Sequence, residues 1–207
     1  MRLFFAIDLD EPARSAVARR IALLRRRTAG LDASLRWVAP AKLHVTLAFF
    51  PDVPPERVGG LCDTCAPSLR QSPFPCCLSV PGVFPARGAP RVVWVGPARG
   101  RTELAGLHGL LWQRLADAGW GPAPGAFEPH LTLGRVRQRR GANTRQLRAV
   151  VTGTPGPAAE WTINHVSLYE SRPSNRGATY HRLALARLDA DGPGTRPERQ
   201  MGHTSGD

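Results

Sequence analysis

The stretch that decides the fold is KLHVTLAFF, residues 42–50. Its apolar, aromatic and β-branched side chains predict a β-strand over residues 43–50. Because alternate side chains of a strand share a face, His44 and Thr46 are expected on one face. The opposite face is expected to pack into the core, and it carries Val45, Leu47 and Phe49.

A second strand repeats this pattern. PHLTLGRV, residues 129–136, places His130 and Thr132 on one face in the same His-x-Thr-Leu order. One such motif is weak evidence, whereas two copies at corresponding places of a strand–helix–strand unit indicate two similar lobes. If the lobes face each other, two histidines and two threonines line the cleft between them.

The order of predicted elements indicates an α+β fold. We expect a bilobal, pseudo-two-fold duplicated domain over residues 1–188, with two antiparallel sheets facing a central groove and helices outside. Residues 189–207 lack apolar periodicity and predict a disordered polar tail. The predicted strands cover residues 2–9, 35–38, 43–50, 74–80, 91–96, 130–136, 160–171 and 179–188. The predicted helices follow the N-cap Asp10 and cover residues 55–69, 101–119 and about 143–151.

The net charge of +12 suits a polyanionic partner such as RNA. Lys42 is the only lysine, and so strong an arginine bias is equally typical of a GC-rich coding sequence. The charge therefore permits a nucleic-acid substrate without identifying one. Arg36 and Lys42, which flank the start of the first motif, are candidate contacts for backbone phosphates.

The remaining composition points to a cytoplasmic protein without a metal or cofactor. No apolar run is long enough for a membrane span or a signal peptide. Cys62 and Cys65 have the spacing of a zinc site, but both fall in a predicted helix. Cys76 and Cys77 are adjacent and would point to opposite faces of a strand, so structural thiols are expected. No apolar stripe is left unpaired, which predicts a monomer.

Two histidines that titrate near neutral pH can serve as general base and general acid in one reaction. Threonine hydroxyls and a guanidinium can hold the non-bridging oxygens of a phosphate. Arg135 is the candidate cation, although strict alternation does not place it on the face of His130. Gly134 would allow a bulge that turns this guanidinium into the cleft. Such groups fit an in-line attack on a cyclic phosphodiester without a metal.

These motifs resemble the two-histidine (2H) phosphoesterases, and among them the RNA 2′,3′-cyclic phosphodiesterases also called 2′-5′ RNA ligases. The stretches that carry the resemblance are RLFFAIDL, RWV with KLHVTLAFF, FEPHLTLGR, and SLYES with GATYHRL. They span nearly all of residues 1–188. The resemblance implies metal-independent hydrolysis of RNA 2′,3′-cyclic phosphate ends to 2′-phosphomonoesters, with 2′-5′ ligation as the reverse reaction.

The resemblance also implies roles for individual residues. His44 and His130 are the expected catalytic pair, with His44 as the acid to the leaving O3′ and His130 as the base on water. The sequence alone does not separate these two roles. The expected substrate-binding residues are Thr46, Thr132 and Arg135 at the phosphate and Phe49 at a nucleobase. Strand alternation, in contrast, places Phe49 in the core.

Other functions remain open at this level. The same fold and chemistry would suit a phosphodiesterase acting on 2′-5′-linked oligonucleotides or small cyclic nucleotides. A non-catalytic RNA-binding protein would depend on arginines and salt rather than on His44 and His130. A zinc protein would lose its function with a chelator.

Overall fold

The computed structural model describes residues 1–31, 35–136, 144–154, 156, 159–173 and 177–190. The strands in these ranges are β1 (Leu3–Asp8), β2 (Leu35–Trp37), β3 (His44–Phe50), β4 (Phe74–Phe84), β5 (Val92–Arg99), β6 (Leu131–Val136), β7 (Ala159–Ile163), β8 (His165–Arg172) and β9 (Thr179–Arg187). The helices are α1 (Glu11–Arg27), α2 (Val58–Cys65), α3 (Arg101–Asp117) and α4 (Thr144–Thr152). Short 3₁₀ helices at Pro40–Lys42 and Pro55–Arg57 precede β3 and α2.

The strands form one antiparallel sheet in the order β7-β4-β5-β6-β3-β1-β8-β9, with β2 paired to β6. The two strands that carry the His-x-Thr motifs, β3 and β6, meet in the middle through the pairing of Val45 with Leu131. The antiparallel α+β architecture is therefore confirmed. The two predicted sheets are joined as halves of one sheet because the motif strands pair with each other.

The two halves repeat the same connection. In one half, β1 pairs with β3, and helix α1 lies between these strands in the sequence. In the other half, β5 pairs with β6, and helix α3 lies between them in the sequence. Helix α1 packs against β7 and α3 packs against β3, so each helix covers the half opposite to the strand it follows. This exchange locks the halves together and fixes the position of the central strands.

The helices form for the reasons that the sequence indicated. The Asp10 side chain caps α1 by accepting a hydrogen bond from the Ala13 amide at 2.9 Å. One face of α3 is fully buried and contributes roughly 1.5–3 kcal/mol per leucine; it carries Leu104, Leu107, Leu111 and Leu115. None of the described helices has the length and apolar character needed to cross a membrane.

Three predicted elements were wrong in extent. The strand predicted at 74–80 continues through Pro81 and Gly82 to Phe84. The strand predicted at 160–171 is two strands in different halves, since β7 pairs with β4 and β8 pairs with β1. The chain crosses between the halves at Asn164, which no glycine or proline marks in the sequence. The helix predicted at 55–69 has its α-helical part at Val58–Cys65, and Pro67 has no amide hydrogen to continue it. The predicted tail lies outside the described residues, apart from Asp189 and Ala190.

Candidate active site

A cavity of about 370 Å³ opens at the junction of β3 and β6. This volume lies within the range of about 300–1,000 Å³ that is usual for small-ligand sites. The structure brings together all of the site residues predicted from the sequence, which are His44, Thr46, Phe49, His130, Thr132 and Arg135. The other lining residues are Phe4, Val38, Lys42, Ser171 and Tyr180.

The central pairing explains why the two motifs share one face. Val45 lies opposite Leu131, so the antiparallel register places His44 opposite Thr132 and Thr46 opposite His130. Val45 and Leu131 are fully buried on the other side of the sheet. Each histidine therefore has the threonine of the other motif as its neighbour across the strands.

Both imidazoles are held in the same way. Nδ1 of His44 lies 2.8 Å from the carbonyl oxygen of Lys42, and Nδ1 of His130 lies 2.8 Å from that of Glu128. A carbonyl oxygen can only accept, so Nδ1 carries the hydrogen in both rings. Nε2 is then the nitrogen that takes or gives a proton.

The two rings differ in their surroundings. His44 contacts the rings of Phe4 and Tyr180, with centroids 4.9 and 5.4 Å away. His130 contacts the edge of Phe84 at 4.9 Å, and its hydrogen bond to the backbone is exposed to solvent. Burial lowers the pKa of His44, and the charges of Arg135 and His130 lower it further against the opposing effects of Lys42 O and Asp8.

A β-bulge in each motif strand determines which side chains after the threonine face the cavity. In β3, Phe5 pairs with Ala48 and Ala6 pairs with Thr46, so Leu47 is an extra residue. In β6, Val93 pairs with Gly134 and Trp94 pairs with Thr132, so Leu133 is the extra residue. Each bulge reverses the alternation that follows it.

The bulges account for the position of Arg135 and overturn one prediction. Arg135 lines the cavity because the alternation of β6 reverses at Leu133, the residue before Gly134. The expectation that Phe49 faces the core was wrong, since its side chain is 52% exposed and lines the same cavity. Strict alternation failed because Leu47 and Ala48 are both buried, and no glycine marks this bulge.

Asp8, at the end of β1, was missed by the sequence analysis. It pairs with His44 across the strands and lines an adjoining cavity together with His44. Its carboxylate accepts hydrogen bonds from Ser167 Oγ at 2.7 Å and Tyr169 Oη at 2.8 Å, and His165 Nε2 lies 3.3 Å away. Burial opposes its ionisation, but these contacts outweigh burial and lower the pKa of Asp8. The sequence signal that could have identified Asp8 is its position at the end of an otherwise apolar, buried strand.

The cysteines lie apart from this cavity. In the part of the chain that the structure describes, no three His, Cys, Asp or Glu side chains come together to hold a metal ion. Burial raises the pKa of Cys65 to about 11 and that of Cys76 to about 12, so both remain thiols near neutral pH. Cys65, Cys76 and partly buried Cys62 pack in or against the hydrophobic core.

Comparison with known proteins places this geometry in a family. The sequence profile of the 2′-5′ RNA ligase superfamily matches residues 11–175. The chain belongs to this superfamily. Its members in the comparison include the RNA 2′,3′-cyclic phosphodiesterase of Methanothermobacter thermautotrophicus, which is 31% identical over 91% of this chain and 99% of the relative. The enzyme of that name from Thermus thermophilus is 31% identical over 96% of this chain and 99% of the relative.

Solved structures of the superfamily share the fold. E. coli LigT complexed with 3′-AMP has a TM-score of 0.69 and 28% sequence identity, over 90% of this chain and 97% of that one. LigT complexed with phosphate has a TM-score of 0.66 and 29% identity, over 90% of this chain and 96% of that one. The superfamily fold thus covers nearly all of the described residues.

Proposed function

We propose that this superfamily member hydrolyses RNA 2′,3′-cyclic phosphate ends to 2′-phosphomonoesters by metal-independent acid–base catalysis. The observation that carries the proposal is the matched pair of histidines in one cavity, each with Nδ1 bound to a backbone carbonyl. The names of the curated relatives support the same substrate.

The reaction needs one neutral and one protonated imidazole. Nε2 of neutral His130 takes a proton from water as the water oxygen attacks phosphorus. The bond between phosphorus and O3′ breaks, and Nε2 of protonated His44 gives its proton to O3′. One water is consumed, the 2′-phosphate and the 3′-hydroxyl are formed, and proton exchange with solvent restores both rings. Each acid or base contributes about 10²- to 10⁴-fold to such a rate.

The phosphate itself requires donors and positive charge. Thr46 and Thr132 lie on the same face as the histidines, each opposite one of them, and present hydroxyls to the non-bridging oxygens. Arg135 follows Thr132 in β6, beyond the extra residue Leu133 of the bulge. Its guanidinium supplies the positive charge that stabilises the transition state. These donors replace the role that a metal ion plays in other phosphodiesterases.

The substrate charge also accounts for how His44 becomes protonated. In the free protein the lowered pKa of His44 favours its neutral form near neutral pH. A bound cyclic phosphate places an anion beside the ring and favours the imidazolium. His44 therefore takes up a proton when the substrate binds and later donates this proton to O3′.

Phe49 completes the site at the nucleoside. Half of its ring surface is open to solvent within the cavity, so it offers a stacking surface to the terminal base. The reverse reaction, 2′-5′ ligation, would use the same groups with exchanged roles. Ligation and a cytoplasmic, monomeric enzyme stay predictions from the sequence.

The test uses purified protein in EDTA with three RNAs of one sequence. Their 3′ ends carry a 2′,3′-cyclic phosphate, a 3′-phosphate or a 2′-5′ linkage, and products are compared with authentic 2′- and 3′-phosphate standards. We expect only the cyclic end to react and only a 2′-phosphate to form. Cleavage of the 2′-5′ linkage instead would make the protein a phosphodiesterase of 2′-5′-linked oligonucleotides. Loss of activity in EDTA would contradict the metal-independent mechanism. Binding without any product would make the protein an RNA-binding protein.

A further inference from the structure

A groove leaves the candidate active site on the side of β2. We call it the basic groove, and its walls are Arg36, Trp37, Val38, Ala39, Lys42, Arg135, Ala178 and Tyr180. Four of these residues, Val38, Lys42, Arg135 and Tyr180, also line the active-site cavity. The basic groove has a volume of about 460 Å³ and is thus continuous with the active-site cavity. A second neighbouring cavity, near Asp8, has a volume of about 430 Å³.

The charges in the basic groove are of one sign. Within the described ranges, no carboxylate oxygen lies within 4 Å of a nitrogen of Arg36, Lys42 or Arg135. Arg36 and Lys42 converge at Gly177, where a Cβ atom would overlap the Arg36 guanidinium and lie 3.8 Å from Lys42 Nζ. Like charges held this close repel each other, so the arrangement favours a bound polyanion.

The neighbouring cavity near Asp8 is less suited to a polyanion. It is lined by the cations Arg14, Lys42 and Arg182, but unlike the basic groove it also contains a carboxylate, that of Asp8, whose lowered pKa keeps it charged. Its Arg14 is already engaged, with Nη1 and Nη2 donating to the carbonyl oxygens of Pro40 and Leu9 and Nε 3.5 Å from a Glu11 oxygen. A chain of phosphates leaving the active site is therefore favoured toward Arg36 and disfavoured toward Asp8.

Two aromatic rings add a surface for bases. Trp37 is half-buried, and its ring packs over Gly134, where a Cβ atom would lie 3.0 Å from Trp37 Cε3. Tyr180 lies between the active-site cavity and the basic groove and lines both. Alternating cations and aromatic rings are what proteins use to hold single-stranded nucleic acid without reading its sequence.

We propose that the basic groove binds the RNA strand on the 5′ side of the terminal nucleotide, with Arg36 and Lys42 on its phosphates. The inference rests on the proposed function and adds where the RNA strand next to the reacting end binds, so that an oligonucleotide of at least two or three residues is preferred over a cyclic mononucleotide. The terminal nucleotide occupies the cavity of His44 and His130, and the preceding nucleotides follow the basic groove.

The test compares two substrates that share the same reacting group. These are 2′,3′-cyclic AMP and a trinucleotide that ends in adenosine 2′,3′-cyclic phosphate, and the readout is the ratio of their kcat/KM values. We expect wild type to favour the trinucleotide by at least tenfold at low salt, and the ratio to fall steadily as salt is raised. Arg36→Ala should lower the ratio roughly tenfold. Arg19→Ala, which removes the same charge from the exposed face of α1, should leave it unchanged.

The outcomes separate the groove from the function. Equal kcat/KM for both substrates, without salt dependence, would overturn the basic groove while leaving cyclic phosphodiesterase activity in place. An equal effect of Arg36→Ala and Arg19→Ala would overturn the role of Arg36 and leave only general attraction by net charge. If neither substrate reacts, the proposed function fails first. The wild-type length and salt comparison does not depend on the folding of any variant.

Discussion

The strands β3 and β6 have the same backbone and different chemistry. Each begins with a motif histidine, His44 in β3 and His130 directly before β6, whose Nδ1 binds the carbonyl two residues earlier. Each then has a threonine on the same face and a bulge at the following leucine. The residue after each bulge that faces the cavity is Phe49 in β3 and Arg135 in β6. In the proposed mechanism, the two repeated motifs supply an acid and a base, whereas Phe49 contacts the nucleobase and Arg135 contacts the phosphate.

The first prediction tests whether the two motifs are equally necessary. His44→Ala and His130→Ala should each lower kcat for the cyclic phosphate by about 10²- to 10⁴-fold, because each removes one proton transfer. His181→Ala removes an exposed histidine of β9 and should have wild-type activity. Single-turnover rates measure the effect. Wild-type activity in either motif variant would contradict the prediction that both histidines are necessary.

The second prediction concerns the cation that only β6 provides. Arg135→Ala should lower kcat/KM by roughly 10²-fold, mostly through kcat, since the charge develops on the phosphate in the transition state. Arg135→Lys should recover part of the loss, because it restores a positive charge without the fork of donors. Steady-state kinetics separate the two terms. A change confined to KM would make Arg135 a binding residue only.

The third prediction concerns the aromatic residue that only β3 provides. Phe49→Ala should raise KM about tenfold through lost stacking with the terminal base. Because the ring is 52% exposed, the melting temperature should hardly change. A core phenylalanine would instead cost about 3–5 kcal/mol of stability on truncation to alanine. A strongly lowered melting temperature would therefore restore the orientation that strict alternation predicts.

The fourth prediction tests the packing beside the bulge of β6. In Gly134→Ala the new Cβ would lie 3.0 Å from Trp37 Cε3 and 3.4 Å from the carbonyl oxygen of Arg36. We expect a loss of about 1–2 kcal/mol in the free energy of unfolding, measured with urea. Gly59→Ala in α2 has open space around it and should gain roughly 0.4–1 kcal/mol. Equal effects of the two substitutions would contradict the close contact.

The fifth and smallest effect separates the two histidines by pH. The charge of Asp8 raises the pKa of His44, so Asp8→Asn should lower that pKa further. The limb of the kcat/KM profile that reports His44 should therefore move to lower pH while the other limb stays fixed, and this movement assigns one limb to each histidine.

The control for this profile is Asp63→Asn, which removes the same charge from the exposed side of α2 and should move neither limb. Movement of both limbs by Asp8→Asn would show that Asp8 acts on the whole site. An unchanged profile would contradict its coupling to His44.

Most of the fold was predictable because its signals are local. The capped, periodic helices and the alternating strands depend on neighbouring residues, and the two His-x-Thr motifs located the site. The break at Asn164 was not predictable, since it follows from which half each strand pairs with. The bulge at Leu133 could be anticipated from the glycine that follows it, whereas the equivalent bulge at Leu47 has no glycine beside it.

The surroundings of the site were less accessible to sequence analysis. Phe4 and Asp8 come from β1 and Tyr180 comes from β9, and only the sheet order brings these two distant strands to His44. The candidate phosphate contacts Arg36 and Lys42 were recognised by their position before the first motif. Their convergence into the basic groove depends on the pairing of β2 with β6.

The central claim is that His44 and His130 each donate from Nδ1 to a backbone carbonyl oxygen and present Nε2 to the same phosphate. The direct measurement is a ¹⁵N NMR titration of histidine-labelled protein with and without 2′-AMP, with signals assigned from His44→Ala and His130→Ala. We predict that both neutral rings carry the proton on Nδ1 and that 2′-AMP raises the pKa of both. A response from only one ring, or a neutral Nε2–H form in either, would contradict the account.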